Sequence, residues 1–325
     1  MASIIFEGKK FDVKSGDSVL ATLNEKGKDI KFGCQAGLCQ ACVMQAIDGD
    51  PPAKAQLGLN ENQKALNYFL SCQCVLPEEG SLTVGRLGAA QLTQQSKVLE
   101  KFWLNSAIIA LRLQVPDQDF SYRAGQYATL WKDERVGRSY SIASTDQEGW
   151  LEFHIQVHQQ GAFSAWAADT LNVGDEISLQ GPLGECFYQA EPEQKLLLTA
   201  VGTGLAPIYG ILKEALRQQH SGGIQLLLGA RSSADFYLVE TLLAIEKSHE
   251  NVSIHWLAMD VDAEHDFARS EDIYGFVKNQ LGSLTGAKVY LCGAQSFVMK
   301  MRKSSFLAGA AMSDISADSF IAFGA

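Results

Sequence analysis

The sequence predicts three units in order: a β-rich unit built around a cysteine loop, an antiparallel β-barrel, and a doubly wound parallel α/β unit. Three observations predict it. Over the first 190 positions, apolar and polar residues alternate in short runs between turn residues, as half-buried strands require. After Glu191-Pro192, strand-length apolar runs alternate with amphipathic segments, the mark of a parallel sheet covered on both faces. A chain of 325 residues also suits about two or three domains better than one core.

The elements follow along the chain. SIIFEGKKFDVK alternates about a Gly8-Lys9 turn and reads as a hairpin. SVLATLNEKG places Val19, Leu20 and Leu23 on one helical face, capped by Asp17 or Ser18 and ended near Gly27. The cysteine loop comes next, then ACVMQAIDGD as a strand, a polar helix around ENQKALNYFL, and SLTVGRL as a closing strand. GRLGAAQLTQQS, residues 85–96, is small and polar and reads as a linker. Barrel strands are expected at AIIALRLQV, QYATLW, SYSIAS, LEFHIQVH and EISLQGPLG, with one helix, FSAWAADTL, among them. In the last unit KLLLTAV, IQLLLGA, VSIHWLAM and KVYLCGA are the strands, and PIYGILKEALRQQ and YLVETLLAIEKS are helices. The expected domains are residues 1–88, 97–190 and 191–325.

Composition narrows the function classes. Acids exceed bases by 1 over residues 1–90, by 5 over 91–190 and by 4 over 191–325, so no region has the basic surface that phosphate backbones demand. Nucleic acid is therefore not expected as a partner. No run approaches the ~18 apolar residues of a membrane span, and the N-terminus lacks the basic and apolar blocks of a signal peptide. A cytoplasmic protein is expected, away from membranes. In that reducing compartment its 7 cysteines are ligands or free thiols rather than a disulfide framework.

GCQAGLCQAC, residues 33–42, carries the sharpest signal. Four residues separate Cys34 from Cys39, two separate Cys39 from Cys42, and 29 separate Cys42 from Cys72. That is the plant-type spacing of a 2Fe-2S cluster, three thiolates from a tight loop and a distant fourth. Gly33 and Gly37 let backbone N–H groups approach inorganic sulfide where a Cβ would obstruct them. Zinc on Cys39, Cys42, Cys72 and Cys74 is the competing reading, but it leaves Cys34 without a role. Cys74 lies two residues beyond Cys72 and points the same way if the chain is extended, so only spacing favours Cys72.

Two features mark the barrel. GRSYSIAS places Arg138, Ser139, Tyr140 and Ser141 at a strand end, where a guanidinium can pair with phosphate and an aromatic ring can lie against a flat ring system. GAFS, residues Gly161, Ala162, Phe163 and Ser164, opens a helix whose free N–H groups suit an anion. Either feature alone is commonplace on a protein surface. Their conjunction beside an α/β unit is what carries weight.

In the α/β unit, KLLLTAVGTGLAP runs strand, glycine turn, helix. Gly202, Thr203 and Gly204 permit close approach to a pyrophosphate, and Pro207 sits in the first helical turn, in place of the third glycine of the dinucleotide fingerprint. Cys292 and Gly293 end a later strand, at the edge where parallel sheets bind ligands, so the thiol can flank a nicotinamide ring. Arg231 and Tyr237, in GARSSADFY, can meet the adenosine ribose or its 2′-phosphate and cover the adenine.

This order of motifs resembles the ferredoxin–NAD(P)H reductase family with a plant-type ferredoxin domain at the N-terminus, of the kind that serves bacterial ring-hydroxylating dioxygenases and monooxygenases. The resemblance covers nearly the whole chain and implies a β-grasp ferredoxin domain, an FAD-binding barrel and an NAD(P)H-binding α/β domain. It implies cluster ligation by Cys34, Cys39, Cys42 and Cys72, with FAD held by Arg138, Ser139, Tyr140, Ser141 and Gly161 to Ser164. For NADH or NADPH it implies Gly202 to Pro207, Arg231, Tyr237, Cys292 and Gly293, with Ser141 and Cys292 beside the reacting rings. The tail ISADSFIAFGA is similar to the family's terminus, which brings Phe320 and Phe323 near the flavin. The function implied is conversion of a two-electron hydride into single electrons, passed by a monomer to a terminal oxygenase or a small ferredoxin. The alternatives are a stand-alone flavin or ferric reductase, and a non-catalytic redox sensor that keeps the cluster.

Overall fold

The structure, a computed structural model, describes residues 2–30, 32–33, 35–37, 40–59, 61–86, 93–116, 120–133, 136–262 and 264–320. The first unit holds β1 (Ser3–Phe6), β2 (Lys9–Asp12), α1 (Val19–Glu25), β3 (Val43–Asp48), α2 (Glu61–Ala65), β4 (Tyr68–Leu70) and β5 (Ser81–Arg86). Its sheet runs β2-β1-β5-β3-β4, with β1 and β5 parallel and Phe6 opposite Val84. Ser18 caps α1 by accepting the Ala21 N–H at 3.1 Å. Gly27 (φ 71°) ends it, as the Lys28 and Gly27 N–H groups return to Leu23 and Asn24 carbonyls. Val19, Leu20 and Leu23 then pack on Ile4, Phe6, Phe69 and Leu82.

Two expectations shift here. The β1–β2 turn is Glu7-Gly8, both at positive φ (52° and 72°), one residue earlier than expected, because the twist of a two-residue hairpin demands φ > 0 at both centres. The helix in ENQKALNYFL stops at Ala65, and Tyr68, Phe69 and Leu70 form β4, since an aromatic-rich run fits a buried strand better than a third helical turn.

The second sheet is an antiparallel barrel of β6 (Gln94–Trp103), β7 (Ile108–Gln114), β8 (Tyr127–Trp131), β9 (Gly137–Ser141), β10 (Trp150–Gln156) and β11 (Glu176–Leu183). The order is β10-β7-β6-β11-β8-β9, and the Ile142–Phe153 bridge joins its edges. β6 went unrecognised in the sequence because only Ser96 and Val98 of its ten residues are buried, which hides the alternation. It also begins at Gln94, inside the expected linker, of which residues 87–92 lie outside the described residues. α3 (Ser164–Asp169) closes one side, and the Lys101 ammonium on β6 donates to the carbonyls of Ala167, Ala168 and Leu171 at its C-terminal end.

In the third unit β12 (Leu196–Val201), β13 (Ile224–Ser232), β14 (Val252–Asp260), β15 (Arg269–Ser270), β16 (Lys288–Ala294) and β17 (Ile315–Phe320) form one parallel sheet, ordered β15-β14-β13-β12-β16-β17. Four helices cover it: α4 (Leu205–Arg217), α5 (Val239–Ser248), α6 (Ile273–Asn279) and α7 (Gln295–Leu307). β12 is buried along nearly its whole length, as a strand covered on both faces must be. The order reverses at β12, which places a ligand crevice at its carboxyl end. α4 presses on the barrel there: a Cβ on Gly210 would stand 3.0 Å from the Ile142 carbonyl and 3.2 Å from Ala124 Cβ. No helix among the described residues is long and apolar enough to cross a membrane.

Candidate functional site

Strand pairing brings the distant cysteine to the loop. Val43 pairs with Leu70 across β3 and β4, and just beyond, Ser71 donates to the Cys42 carbonyl through its N–H (3.0 Å) and its hydroxyl (2.8 Å). Cys42 and Cys72 therefore end at the same edge of the sheet. Gln73 Nε2 donates to the Gln35 carbonyl at 3.0 Å and lies 3.5 Å from Cys72 Sγ, tying the loop to the fourth thiol. The loop is tightly coiled: Gln35, Gly37 and Gln40 have φ of 52°, 81° and 54°, values that non-glycine residues adopt where function imposes strain. A Cβ on Gly37 would stand 2.9 Å from Gln73 Cγ. Cys34 and Cys39 lie outside the described residues.

Cys72 and Cys74 are separated by environment. Cys72 is half-buried beside the loop, whereas Cys74 is fully buried in the apolar core, where burial pushes its thiol up to about 12. Its place in that core fits a packing residue, and the half-buried Cys72 is the better placed of the two to face the loop. Among the described residues no three of His, Cys, Asp and Glu gather as a metal site, which removes a grouping of Cys42, Cys72 and Cys74. A coiled, glycine-bearing loop that supplies only soft sulfur donors fits an iron–sulfur group.

In the barrel, Arg138, Ser139 and Tyr140 are half-buried on β9, and Ser139 shares a 2.9 Å hydrogen bond with Thr129. The Tyr140 ring meets Phe163 at 5.4 Å in a tilted contact, and Phe163 meets Trp166 edge-on at 5.4 Å, so an aromatic cluster supports the ring that Tyr140 can offer a planar ligand. GAFS is divided in role. Phe163 is buried in the barrel core, Ala162 is exposed, and Ser164 Oγ accepts the His158 N–H at 3.1 Å. Gly161 is obligatory there, because a Cβ would sit 2.3 Å from Ser164 Oγ. No side chain caps α3, and the Ala165 N–H returns to the Gly161 carbonyl at 3.0 Å, which closes the turn on itself.

A cleft of about 750 Å³ opens at the carboxyl ends of β12 and β13. Gly202, Arg231 and Tyr237 line it, as do Asp235, Glu271 and Asp272. Thr203, Gly204, Pro207, Cys292 and Gly293 do not. Their positions explain why. A Cβ on Gly204 would lie 2.2 Å from the Cys292 carbonyl, and one on Gly293 (φ 144°) 2.5 Å from Val201 Cγ2, so these glycines let the strand ends and α4 close together. Pro207 is buried in the first turn of α4, where its absent N–H leaves no gap.

Tyr237 reaches the cleft from a buried position. It is almost fully buried, and its hydroxyl meets His154 Nδ1 at 3.1 Å across the junction of barrel and α/β unit. His154 Nε2 lies 3.0 Å from Glu152, which pairs with Arg112 at 2.6 Å, and Arg112 with Glu100 at 2.7 Å. Burial alone would raise the Glu152 carboxyl, but hydrogen bonds and charge from His154 and Arg112 hold it at about 2. Burial lowers the His154 pKa, an effect that the hydrogen bond and charge of Glu152 oppose.

The residue that sequence reasoning missed is Asp318. β17 runs parallel to β16 with Asp318 opposite Cys292, and its carboxylate accepts from Ser141 Oγ at 3.2 Å. Burial pushes this carboxyl up to about 6, a shift the Ser141 hydrogen bond only partly offsets. The sole signal was the alternation in ISADSF. Phe320, opposite Ala294, ends the described strand, and Phe323 lies outside the described residues. A second cleft, of about 500 Å³, separates the cluster unit from the barrel. Gly37, Gln40 and Gln63 form one wall, Tyr127 and Glu185 another, and Asp318 reaches it as well.

Three domain families match the chain in the order of these sites. The 2Fe-2S iron-sulfur cluster binding domain matches residues 4–77, the oxidoreductase FAD-binding domain 91–188 and the oxidoreductase NAD-binding domain 198–303. The chain is 27% identical over 315 residues, 94% of each chain, to the ferredoxin–NAD(P)+ reductase component of the naphthalene 1,2-dioxygenase system of Pseudomonas putida. It is 28% identical over 251 residues, 75% of this chain and 71% of the relative, to the xylene/toluene monooxygenase electron transfer component of the same organism. Among solved structures, the cytochrome P450 reductase of Amycolatopsis shares the fold, with a TM-score of 0.67 over 98% of this chain and 99% of that one at 23% identity.

Proposed function

The chain belongs to the ferredoxin–NAD(P)H reductase family with an N-terminal plant-type 2Fe-2S domain, and we propose that it is the electron-transfer reductase of an aromatic-ring oxygenase system. It works as a cytoplasmic monomer that takes a hydride from NADH onto FAD and hands single electrons to a terminal oxygenase or its small ferredoxin. When bound, nicotinamide supplies two electrons as a hydride, flavin accepts both and releases them singly, and the cluster carries one at a time.

The observation that carries this reading is the convergence at Asp318. One residue meets Ser141 of the barrel, faces Cys292 of the α/β sheet and lines the cleft opposite the cluster loop. The protein's own groups do little acid–base work. Tyr140, backed by Phe163, offers a flat apolar face, and Arg138 offers a fork for phosphate. Ser141 and Asp318 hold a proton at their shared hydrogen bond, where the barrel meets the α/β sheet, and would present it to a flavin bound there. Arg231 and the Gly202 turn receive the nucleotide. Asp235, Glu271 and Asp272 surround that end of the cleft with negative charge, which disfavours a 2′-phosphate and selects NADH.

Anaerobic stopped-flow mixing with NADH and NADPH tests this. The flavin band should bleach with NADH well ahead of NADPH, and cluster absorbance should fall after it. Bleaching without later cluster reduction would refute the reductase reading. Preference for NADPH would refute the assignment of the acidic rim.

A further inference from the structure

Two thiols outside the cluster set face each other where the barrel meets the α/β sheet. Cys186 follows β11 in the segment that leaves the barrel, Cys292 lies on β16, and their sulfurs are 3.8 Å apart. Both are buried, at 6% and 0% exposure. The backbone on each side is held in place: a Cβ on Gly125 would come 2.5 Å from the Cys186 carbonyl, and one on Gly204 would come 2.2 Å from that of Cys292. A disulfide requires about 2.05 Å between sulfurs, so less than ~2 Å of closure is needed, within reach of side-chain rotation.

Access is unequal. Cys186 lines the 500 Å³ cleft and keeps 6% exposure, so of the two thiols it is the one nearer to solvent and to peroxide. Cys292 does not line that cleft, and burial together with the Cys186 contact pushes its thiol well up and keeps it protonated. A reachable thiol with a second directly behind it is the arrangement in which a sulfenic acid is trapped before it oxidises further.

We propose that Cys186 and Cys292 form a reversible redox pair, closed by hydrogen peroxide, that slows hydride transfer when it becomes a disulfide. In the first step the Cys186 sulfur takes one peroxide oxygen. An S–O bond forms, the O–O bond breaks, and one water leaves with Cys186 as a sulfenic acid. In the second, Cys292 sulfur displaces that hydroxyl, the S–S bond forms, and the thiol proton departs in a second water. Two thiols have lost two electrons, and one peroxide has become two waters. Peroxide is what a reduced flavin yields when it meets dioxygen rather than its partner, so the pair senses uncoupled turnover. The link to rate rests on the proposed placing of Ser141, Asp318 and Cys292 beside the hydride: rotating the Cys292 side chain into a bond with Cys186 withdraws its thiol from that position while the backbone stays fixed.

The test uses holoprotein treated briefly with hydrogen peroxide, cleared with catalase, and divided. One portion is digested without reductant for mass spectrometry, and the other is mixed anaerobically with NADH. A linked peptide containing Cys186 and Cys292 is expected, with flavin bleaching slowed about tenfold or more and restored by dithiothreitol. Cys186→Ser should match the untreated rate and keep it after peroxide, and Cys186→Ala guards against a folding defect. Flavin bleaching precedes cluster reduction, so oxidative damage to the cluster does not enter. Absence of the linked peptide, or equal slowing of both variants, would overturn the proposal. If the untreated protein never bleaches, the functional reading fails, while the peptide still reports on the pair.

Discussion

Ser141 and Asp318, 177 positions apart in sequence, share a 3.2 Å hydrogen bond at the junction of barrel and α/β sheet. The carboxylate is buried and its pKa stands at about 6, so near neutrality the pair is poised between holding and releasing a proton.

That shift has a definite sign. Burial makes the folded protein bind a proton at Asp318 that the unfolded chain gives up near the ordinary carboxylate value, so this contribution to stability is complete at low pH and is lost as pH rises through about 6. Across that window the melting temperature of wild type should carry a falling component that Asp318→Asn lacks. Ser141→Ala should slow flavin reduction by roughly 10- to 100-fold with little change in Tm.

Cys72 and Cys74 should respond in opposite ways to the same substitution. Cys72→Ser should abolish the visible absorbance of the cluster while flavin reduction by NADH continues. Cys74→Ser should keep the cluster but cost about 1–3 kcal/mol in denaturant unfolding, because a buried hydroxyl replaces a thiol in an apolar core.

The Glu152 carboxyl, held at about 2, contributes stability above the ordinary carboxylate range and loses it as pH falls towards 2. Glu152→Gln removes the buried anion between His154 and Arg112, leaving Arg112 only its exposed partner Glu100, and should cost on the order of 3 kcal/mol at neutral pH. Tyr237→Phe removes only the His154 hydrogen bond and should cost about 1 kcal/mol. Urea titrations of the two variants at pH ~7 check the ranking.

Lys101 donates to three carbonyls at the end of α3. Lys101→Met leaves those acceptors without a cation, and the helix that opens at the Gly161 turn should loosen by about 1–2 kcal/mol. The readout is FAD affinity, measured by flavin fluorescence on titration of flavin-stripped protein. It should weaken roughly 5- to 30-fold, while cluster absorbance stays unchanged.

Local chemistry was legible in the residues themselves. The cysteine spacing, the glycine turn before α4, the apolar runs of β12, β13, β14 and β16, and the Ser18 cap each depend on neighbours within a few positions, where period and conformational preference act directly. The same locality explains the misses. β6 is polar along most of its length, β17 gives no sign by itself that Asp318 would meet Ser141, and neither shows its partner until the sheets assemble.

What only tertiary structure decided are relations between distant segments. Cys72 and Cys74 differ by two positions in sequence, and the core alone assigns one to the loop and the other to packing. Tyr237, at the edge of the nucleotide cleft, is held by a histidine 83 residues away. Parallel pairing of β16 with β17 sets Asp318 beside Cys292, and barrel closure brings Ser141 to it. Such contacts arise from strand register and domain packing, long-range terms that no window of sequence contains.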